Sequence, residues 1–186
     1  SNASIDLEQL GSTNLIGGTS ASSGSMTALD LDGASMTLDI NQIGSSNIFR
    51  SDAIDGGNFT GFFEFDGDSN VWDLLMNSTG LSATDYVNLN IDVTGSSNTA
   101  DIKIGEDDDA SYLDLDWIIT GDSNEFDFDI DYEYATNYMD INGSSNTVNF
   151  SGSGYGASSS DAGYFYLDLD GSSNTFNITQ SSTLAR

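Results

Sequence analysis

The chain contains no cysteine, no proline and no histidine. Without cysteine there is no disulfide bond, no thiolate nucleophile and no zinc site of the thiolate kind. Without histidine, the side chain that most often serves as a general base or metal ligand is missing. These absences lower the expectation of catalysis, and we predict that the protein is not an enzyme.

Basic residues are scarce: Lys and Arg total 3 against 30 Asp and Glu, a formal net charge of -27. Phosphate backbones repel such a charge, so we expect no nucleic-acid partner. No apolar run is long enough to cross a bilayer, so we expect no membrane insertion. The charge favours cations and basic surfaces as partners, and solubility or adaptation to salt is the other explanation of the same composition.

Length and patterning indicate a folded chain. The 186 residues suffice for one domain with a sizeable core. We interpret residues 1–3 as the remnant of a cleaved tag and residues 4–186 as a single domain. Acidity with many small polar residues is also typical of disorder. However, apolar and polar residues alternate in strings such as residues 87–93, VNLNIDV, and this alternation indicates half-buried strands.

A four-residue motif, Gly-x-Ser/Thr-Asn, recurs along the chain. Its first and last residues are Gly11 and Asn14, Gly44 and Asn47, Gly67 and Asn70, Gly95 and Asn98, Gly121 and Asn124, Gly143 and Asn146, and Gly171 and Asn174. From Gly44 onward the glycines are 23, 28, 26, 22 and 28 residues apart. Gly and Asn tolerate left-handed backbone, so we interpret each copy as a structural corner rather than a binding site.

Each corner sets the register of the alternating strands on either side of it. The residue two before Gly and the residue two after Asn are predicted to point inward. Apart from Gln9 and Gln42, all of these residues are apolar. The pairs from the third corner onward are Phe65 and Trp72, Val93 and Ala100, Ile119 and Phe126, Ile141 and Val148, and Leu169 and Phe176.

The return of one corner type after every second strand predicts a parallel β-solenoid. In sandwiches and barrels each hairpin has its own turn geometry, whereas stacked coils share one corner. We therefore predict an all-β fold of roughly six to seven two-strand coils, with about 22–28 residues per coil and an asparagine ladder along the axis. Gly33, only 11 residues before Gly44, is interpreted as an extra corner at the opposite edge.

The corner and its flanks resemble the curlin repeat, whose core reads Gln-x-Gly-x-x-Asn-x-Ala. Residues 9–14 (QLGSTN) and 42–47 (QIGSSN) match its first part, and residues 95–100 (GSSNTA) match its second part. Curlin proteins are secreted subunits of bacterial extracellular amyloid fibres. The resemblance implies an extracellular or cell-surface structural protein used in adhesion and biofilm, whose partners are its own copies or related fibre subunits.

Most corners depart from the curlin pattern at the inward Gln, where Phe, Val, Ile or Leu stands instead. The core is therefore more apolar and has fewer amide side chains. The coils are also longer and less uniform. A relative that stays soluble is the alternative to a fibre subunit.

Outward residues are predicted to form columns, because equivalent positions of stacked coils lie roughly 4.8 Å apart. The third position after Asn reads Arg50, Asp73, Asp101, Asp127, Asn149 and Asn177. Adjacent carboxylates repel one another unless a cation lies between them, and carboxylate oxygens suit Ca²⁺. We take Asp73, Asp101 and Asp127 as candidate metal ligands, with repulsion tolerated in solvent as the alternative.

Two of the basic residues are expected to pair with acids of neighbouring coils. The alignment places Arg50 beside Asp73, and Lys103 one coil from Asp129. As exposed ion pairs, each contributes about 0–1 kcal/mol.

Three functions remain open at the level of sequence. A self-associating extracellular protein is favoured, because a solenoid has unpaired strand edges at both ends and no capping amphipathic helix is evident. A cation- or surface-binding module is the second. A polysaccharide-active enzyme comes last: the outward Tyr112, Tyr138, Tyr164 and Tyr166 could stack on sugars, but no two carboxylates stand out as a catalytic pair.

Overall fold

The structure is a computed structural model that describes residues 2–17, 29–56, 58–76, 86–105, 112–132, 135–153 and 163–181. The secondary-structure elements of these ranges are all β-strands. The same ranges contain no helix that is long and apolar enough to cross a membrane.

Strands follow one another along the described chain. In order they are β1 (Asn2–Leu10), β2 (Leu15–Ile16), β3 (Leu29–Gly33), β4 (Ser35–Ile43), β5 (Ile48–Gly56), β6 (Asn58–Asp66), β7 (Val71–Met76), β8 (Tyr86–Thr94), β9 (Thr99–Ile104), β10 (Leu113–Thr120), β11 (Glu125–Asp131), β12 (Ala135–Asn142), β13 (Thr147–Ser153), β14 (Tyr164–Asp170) and β15 (Thr175–Gln180).

The strands form two parallel sheets. The first sheet has the order β1-β4-β6-β8-β10-β12-β14, and the second has the order β15-β13-β11-β9-β7-β5-β2, with β3 also paired to β5. After each strand of the first sheet, the chain turns through a Gly-x-Ser/Thr-Asn corner into the second sheet. Equivalent strands of successive coils then lie side by side. The predicted all-β parallel solenoid is confirmed.

The number of coils differs slightly from the predicted six to seven, and the first coil is irregular. Two separate pieces, β2 and β3, pair with β5 and together occupy its outer side. The equivalent residues Asn14 and Asn47 are 33 positions apart, outside the predicted range of 22–28. The second sheet therefore has eight strands where the first has seven.

Gly33 lies at the edge opposite the repeated corner, as expected. It ends β3 beside Gly56, and β4 of the first sheet begins at Ser35. This bend is the ordinary second corner of the first coil, so the interpretation of an extra corner is wrong. At the start of the chain, Asn2 and Ala3 belong to β1, which extends the strand into residues interpreted as a tag remnant.

The predicted inward register is confirmed through the middle of the stack. Phe65, Val93, Ile119 and Ile141, each two residues before a corner, are all at most 3% exposed. The positions two after Asn are buried as well: Phe49, Trp72, Ala100, Phe126 and Val148. The buried side chains form one continuous core between the two sheets.

The corners place their left-handed residues differently from the expectation. Positive φ angles occur at Gly and at the third motif position, for example 145° at Gly121 and 60° at Ser123, but not at Asn124. The expectation that Asn supplies left-handed backbone is therefore wrong. The corner Asn instead contributes through its side chain, which makes the hydrogen bonds described below.

Glycine is needed at the corner for close approach as well as for its backbone angle. A Cβ atom on Gly121 would lie 1.9 Å from the carbonyl oxygen of Gly95. No side chain fits at that separation, so glycine lets successive corners stack directly upon one another.

Candidate functional site

An asparagine ladder runs through all seven stacked corners. The backbone nitrogen of each corner Asn donates to the side-chain oxygen of the next corner Asn, from Asn14 to Asn174. The nitrogen–oxygen distances are 2.8–3.0 Å. Since the interior Asn side chains are almost fully buried, this ladder satisfies backbone groups that water cannot reach.

The Asn side-chain nitrogens bind glycine carbonyls. Asn47 and Asn70 donate to the glycine of their own corner, at 2.9 and 3.0 Å. Asn124, Asn146 and Asn174 donate to the glycine of the preceding corner. Each such amide therefore ties the corner together at both of its polar atoms, as expected for a structural residue.

Two ladder residues lack this second hydrogen bond. The buried Nδ2 atoms of Asn14 and Asn98 have no partner among the described residues. Asn98 lies within the stack, whereas Asn14 belongs to the first corner of the described residues.

The predicted acidic column lies in register on the outward face of the second sheet. Asp73 pairs with Asp101, and Asp101 pairs with Asp127, in adjacent strands. Beyond Asp127 the column continues with the amide side chains of Asn149 and Asn177. The Nδ2 of Asn149 donates to the Asp127 carboxylate at 2.5 Å. The Nδ2 of Asn177 in turn donates to Asn149 at 2.7 Å.

One of the two expected ion pairs is present and the other is replaced. Arg50 lies beside Asp73, with 3.9 Å between Nε and the carboxylate oxygen. Lys103 is in register with Asp129 but forms its ion pair with Asp101, at 4.0 Å. Asp101 is two residues before Lys103 on the same strand face, so the lysine reaches a carboxylate without leaving its own coil.

Within the acidic column, the pKa of Asp73 is shifted by burial and by a like charge. Partial burial, followed by the neighbouring charge of Asp101, raises the pKa of the Asp73 carboxyl above its usual 3.8. Arg50 and Lys103 oppose this effect but do not cancel it. The column therefore favours a proton at Asp73 more than an isolated aspartate would.

The first sheet shows the same effect on its outward face. Partial burial and the charge of Asp66 raise the pKa of Asp92. Partial burial and the charge of Asp116 raise the pKa of Asp114. On both outward faces, burial and then the charge of a neighbouring carboxylate disfavour the ionised form of these aspartates.

Metal binding by Asp73, Asp101 and Asp127 stays a prediction. The three residues occupy successive strands as expected. Across the part of the chain that the structure describes, however, no group of three or more acidic side chains is placed to hold a metal ion.

The outward tyrosines pack across strands of the first sheet. The rings of Tyr138 and Tyr166 stack with their centroids 5.0 Å apart and their planes at 4°. Tyr86 and Tyr112 pack with centroids 5.4 Å apart. These contacts favour the interpretation that the rings cover cross-strand neighbours.

The last coil leaves the apolar interior open at one end of the described stack. Leu169 and Ile178 are 41% and 42% exposed although their equivalents in inner coils are buried. Phe165, Leu167 and Phe176 are only half-buried. The final strands β14 and β15 also have neighbours on one side only.

The first coil forms the opposite end. Ile5 and Leu7 of β1 are half-buried and pack against the core from its edge. The side chain of Gln9 accepts a hydrogen bond from Gln42 at 2.9 Å. β1 likewise has a neighbour on one side only.

Asn137 is a buried polar residue that sequence reasoning missed. Its side chain is fully buried among inward residues of β12, and both of its polar atoms lack a partner within the described residues. The alternation of residues 135, 137, 139 and 141 was the available signal, because it places an amide in an otherwise apolar inward row.

Comparisons with known protein families, curated proteins and solved structures give no significant match to this chain.

Proposed function

We propose that this protein is a curlin-like extracellular structural or adhesive protein that self-associates through the ends of its solenoid. Its place would be a bacterial biofilm or an attachment surface, and no catalysis is part of the proposal. The observation that carries it is the open apolar interior at the last coil, where Leu169 and Ile178 are more than two-fifths exposed. Exposed apolar ends with unpaired strand edges are typical of surfaces that associate.

The distribution of charge supports the ends as the contact surfaces. The acids Asp73, Asp101 and Asp127 face outward from the second sheet, and Asp92 and Asp114 face outward from the first. A net charge of -27 opposes contact between these flanks. The inward positions exposed at the last coil are apolar, so association there buries surface without bringing many charges together.

The chemistry of the corner supports the curlin-like assignment. As in the curlin repeat, each coil carries Gly and Asn at the same corner positions. The corner amides of successive coils are hydrogen-bonded along the axis. In stacked β-structures, such ladders extend across identical units. The same contact that joins two coils within this chain is thus available to join coils of different copies.

Sedimentation velocity at increasing protein concentration, at low and high salt, tests the proposal. We expect species larger than the monomer, favoured by salt because salt screens the repulsion between flanks. Electron microscopy of the same samples should show elongated particles. A chain that stays monomeric under every condition would overturn the proposal. Surface labelling of intact source cells tests the extracellular location.

A further inference from the structure

The two ends of the described stack match one another in register. We infer that copies join head to tail, with β14 of one copy beside β1 of the next, and that the repeated corner sets the alignment; this seam rests on the proposed end-to-end association. Aligned on the corner, inward residues of the two copies become neighbours. The apolar pairs across the seam are Phe165 with Ile5, Leu167 with Leu7, and Phe176 with Ile16, whereas Leu169 meets the amide side chain of Gln9.

The apolar pairs complete a core that each copy leaves unfinished. Within the chain, equivalent positions of adjacent strands pair in the same manner, such as Met139 with Leu167. The six residues of the apolar pairs are half-buried or nearly buried, each covered on one side by its own chain. A second copy in register supplies the missing side, and the area buried drives association.

The seam also continues the asparagine ladder. Asn146 donates from its backbone nitrogen to Asn174, and no later corner follows Asn174 in the described chain. In the head-to-tail arrangement, the side-chain oxygen of Asn14 in the next copy takes the place of that missing acceptor.

Inside the chain, the amide of a corner Asn also reaches the glycine of the preceding corner. Asn174 donates to Gly143 of the preceding corner at 2.9 Å. The Nδ2 atoms of Asn14 and Asn98 are both buried and without a partner among the described residues, so the Nδ2 of Asn14 does not define the seam. The seam is defined by the apolar register and by the ladder acceptor that Asn14 supplies.

The space beside Gly11 is open in a way that the later corners are not. A Cβ atom on Gly11 would contact only its own Asn14 side chain, at 3.7 Å. At Gly44 the equivalent atom would lie 2.0 Å from the carbonyl oxygen of Gly11. The first corner therefore has room for the carbonyl of a preceding corner, and Gly171 of another copy supplies it.

Head-to-head joining does not reproduce these contacts. Two identical ends related by a twofold axis present their strands antiparallel, so the corner of one copy does not stack in register on the corner of the other. A head-to-tail contact leaves one unused end on each side of the pair. Growth is therefore open-ended and produces a filament rather than a closed dimer.

One pair of like charges opposes the seam and makes it testable. Glu8 of one copy becomes the cross-strand neighbour of Asp168 of the other, since both lie three residues before their corner glycine. Both residues face outward, so their substitution leaves the core unchanged. Like charges directly opposite one another weaken strand association.

Charge reversal at these two positions tests the seam by sedimentation equilibrium at low salt. Glu8→Lys and Asp168→Lys should each raise the association constant about two- to five-fold, because each creates an ion pair across the seam. The double variant restores like charges and should lose that gain. Glu64→Lys, in the same outward column but inside the stack, is the matched control for the change in net charge.

The outcomes separate the seam from the broader proposal. Gains in the two single variants beyond the Glu64→Lys control, cancelled in the double variant, support the head-to-tail seam. Association of the natural chain with additive effects at positions 8 and 168 overturns the seam but leaves end-to-end association standing. If neither the natural chain nor any variant associates at any salt concentration, the proposed function fails as well.

Discussion

The backbone nitrogen of Asn98 donates to the side-chain oxygen of Asn124 at 2.8 Å, linking two corners that are 26 residues apart in sequence. The side-chain nitrogen of Asn124 binds the carbonyl of Gly95 at 3.2 Å, so one amide holds both halves of the preceding corner. This arrangement makes the corner Asn a residue whose removal leaves buried backbone groups unsatisfied.

Replacing a ladder residue should destabilise the solenoid. Asn124→Ala removes the acceptor of the Asn98 nitrogen and should lower the free energy of unfolding by about 1–3 kcal/mol. Urea denaturation followed by circular dichroism measures the loss. Asn149→Ala is the control, because its amide hydrogen bonds lie on the exposed face. Equal losses in both variants would contradict a special role for the corner.

Corner glycines inside the stack should not tolerate a side chain. Gly121→Ala places Cβ against the carbonyl of Gly95 and should cost at least about 3 kcal/mol. Gly11→Ala meets only the backbone strain of its φ of 117° and should cost about 1–2 kcal/mol. Thermal unfolding at low protein concentration compares the two, and a Gly121→Ala variant as stable as Gly11→Ala would contradict the close stacking.

Asn137 should be replaceable by an apolar residue with a gain in stability. Its neighbours in register are Leu115 and Phe165, and both of its buried polar atoms lack partners among the described residues. Asn137→Leu removes that desolvation penalty and should raise the free energy of unfolding by about 1–3 kcal/mol. Asn146→Leu, which removes a ladder residue, should have the opposite sign in the same urea titration. A loss of stability in Asn137→Leu would show that the amide has a role.

Mild acid should stabilise the fold. Burial and like charges raise the pKa of Asp73, Asp92 and Asp114, so the folded chain binds protons at these sites more readily than the unfolded chain. The free energy of unfolding therefore increases as the pH falls through the raised values toward 3.8. We expect the melting temperature to rise as the pH is lowered from 7 toward the usual aspartate value of 3.8.

The contribution of Asp73, Asp92 and Asp114 to the pH dependence of stability can be distinguished from the general effect of net charge. In a triple variant with Asp73→Asn, Asp92→Asn and Asp114→Asn, the rise on acidification should be smaller, because these sites no longer titrate. Asp6→Asn, Asp39→Asn and Asp129→Asn together form the control with the same change in charge. A melting temperature that falls with pH in the natural chain would refute the expectation.

The metal-ligand prediction for Asp73, Asp101 and Asp127 can be tested by thermal unfolding. If the column binds Ca²⁺, Ca²⁺ should raise the melting temperature more than NaCl of equal ionic strength does. The extra shift should disappear in Asp101→Asn and persist in Asp129→Asn, which lies outside the column. Identical shifts of the melting temperature with both salts would contradict Ca²⁺ binding, because screening of the repulsion between carboxylates would then explain the whole effect.

The inward register was readable from the sequence because the repeat fixes it. Apolar residues two positions from each corner, such as Phe65 and Phe126, had to share one face once the strands alternated. The parallel fold followed, since identical corners stack only when successive coils run in the same direction. In the outward column, the neighbours of Asp101 followed from the same alignment and are in register in the structure.

Other features depended on contacts that alignment does not contain. Lys103 reaches Asp101 rather than Asp129, because a flexible side chain selects among several nearby carboxylates. The left-handed angle falls on Ser123 rather than Asn124, and the motif alone does not distinguish these adjacent corner positions. The division of the first coil into β2 and β3 left no repeat in the sequence from which it could be recognised.

The purely parallel pairing has a consequence for how the chain acquires its shape. The ladder joins residues 22 to 33 positions apart, and every sheet pairing described is parallel, so no local hairpin can start folding. The first two coils must close long loops before any sheet forms, which makes initiation slow. Each later coil then lays itself on a finished template. Elongation of a nascent chain and recruitment of another molecule would thus be the same elementary step.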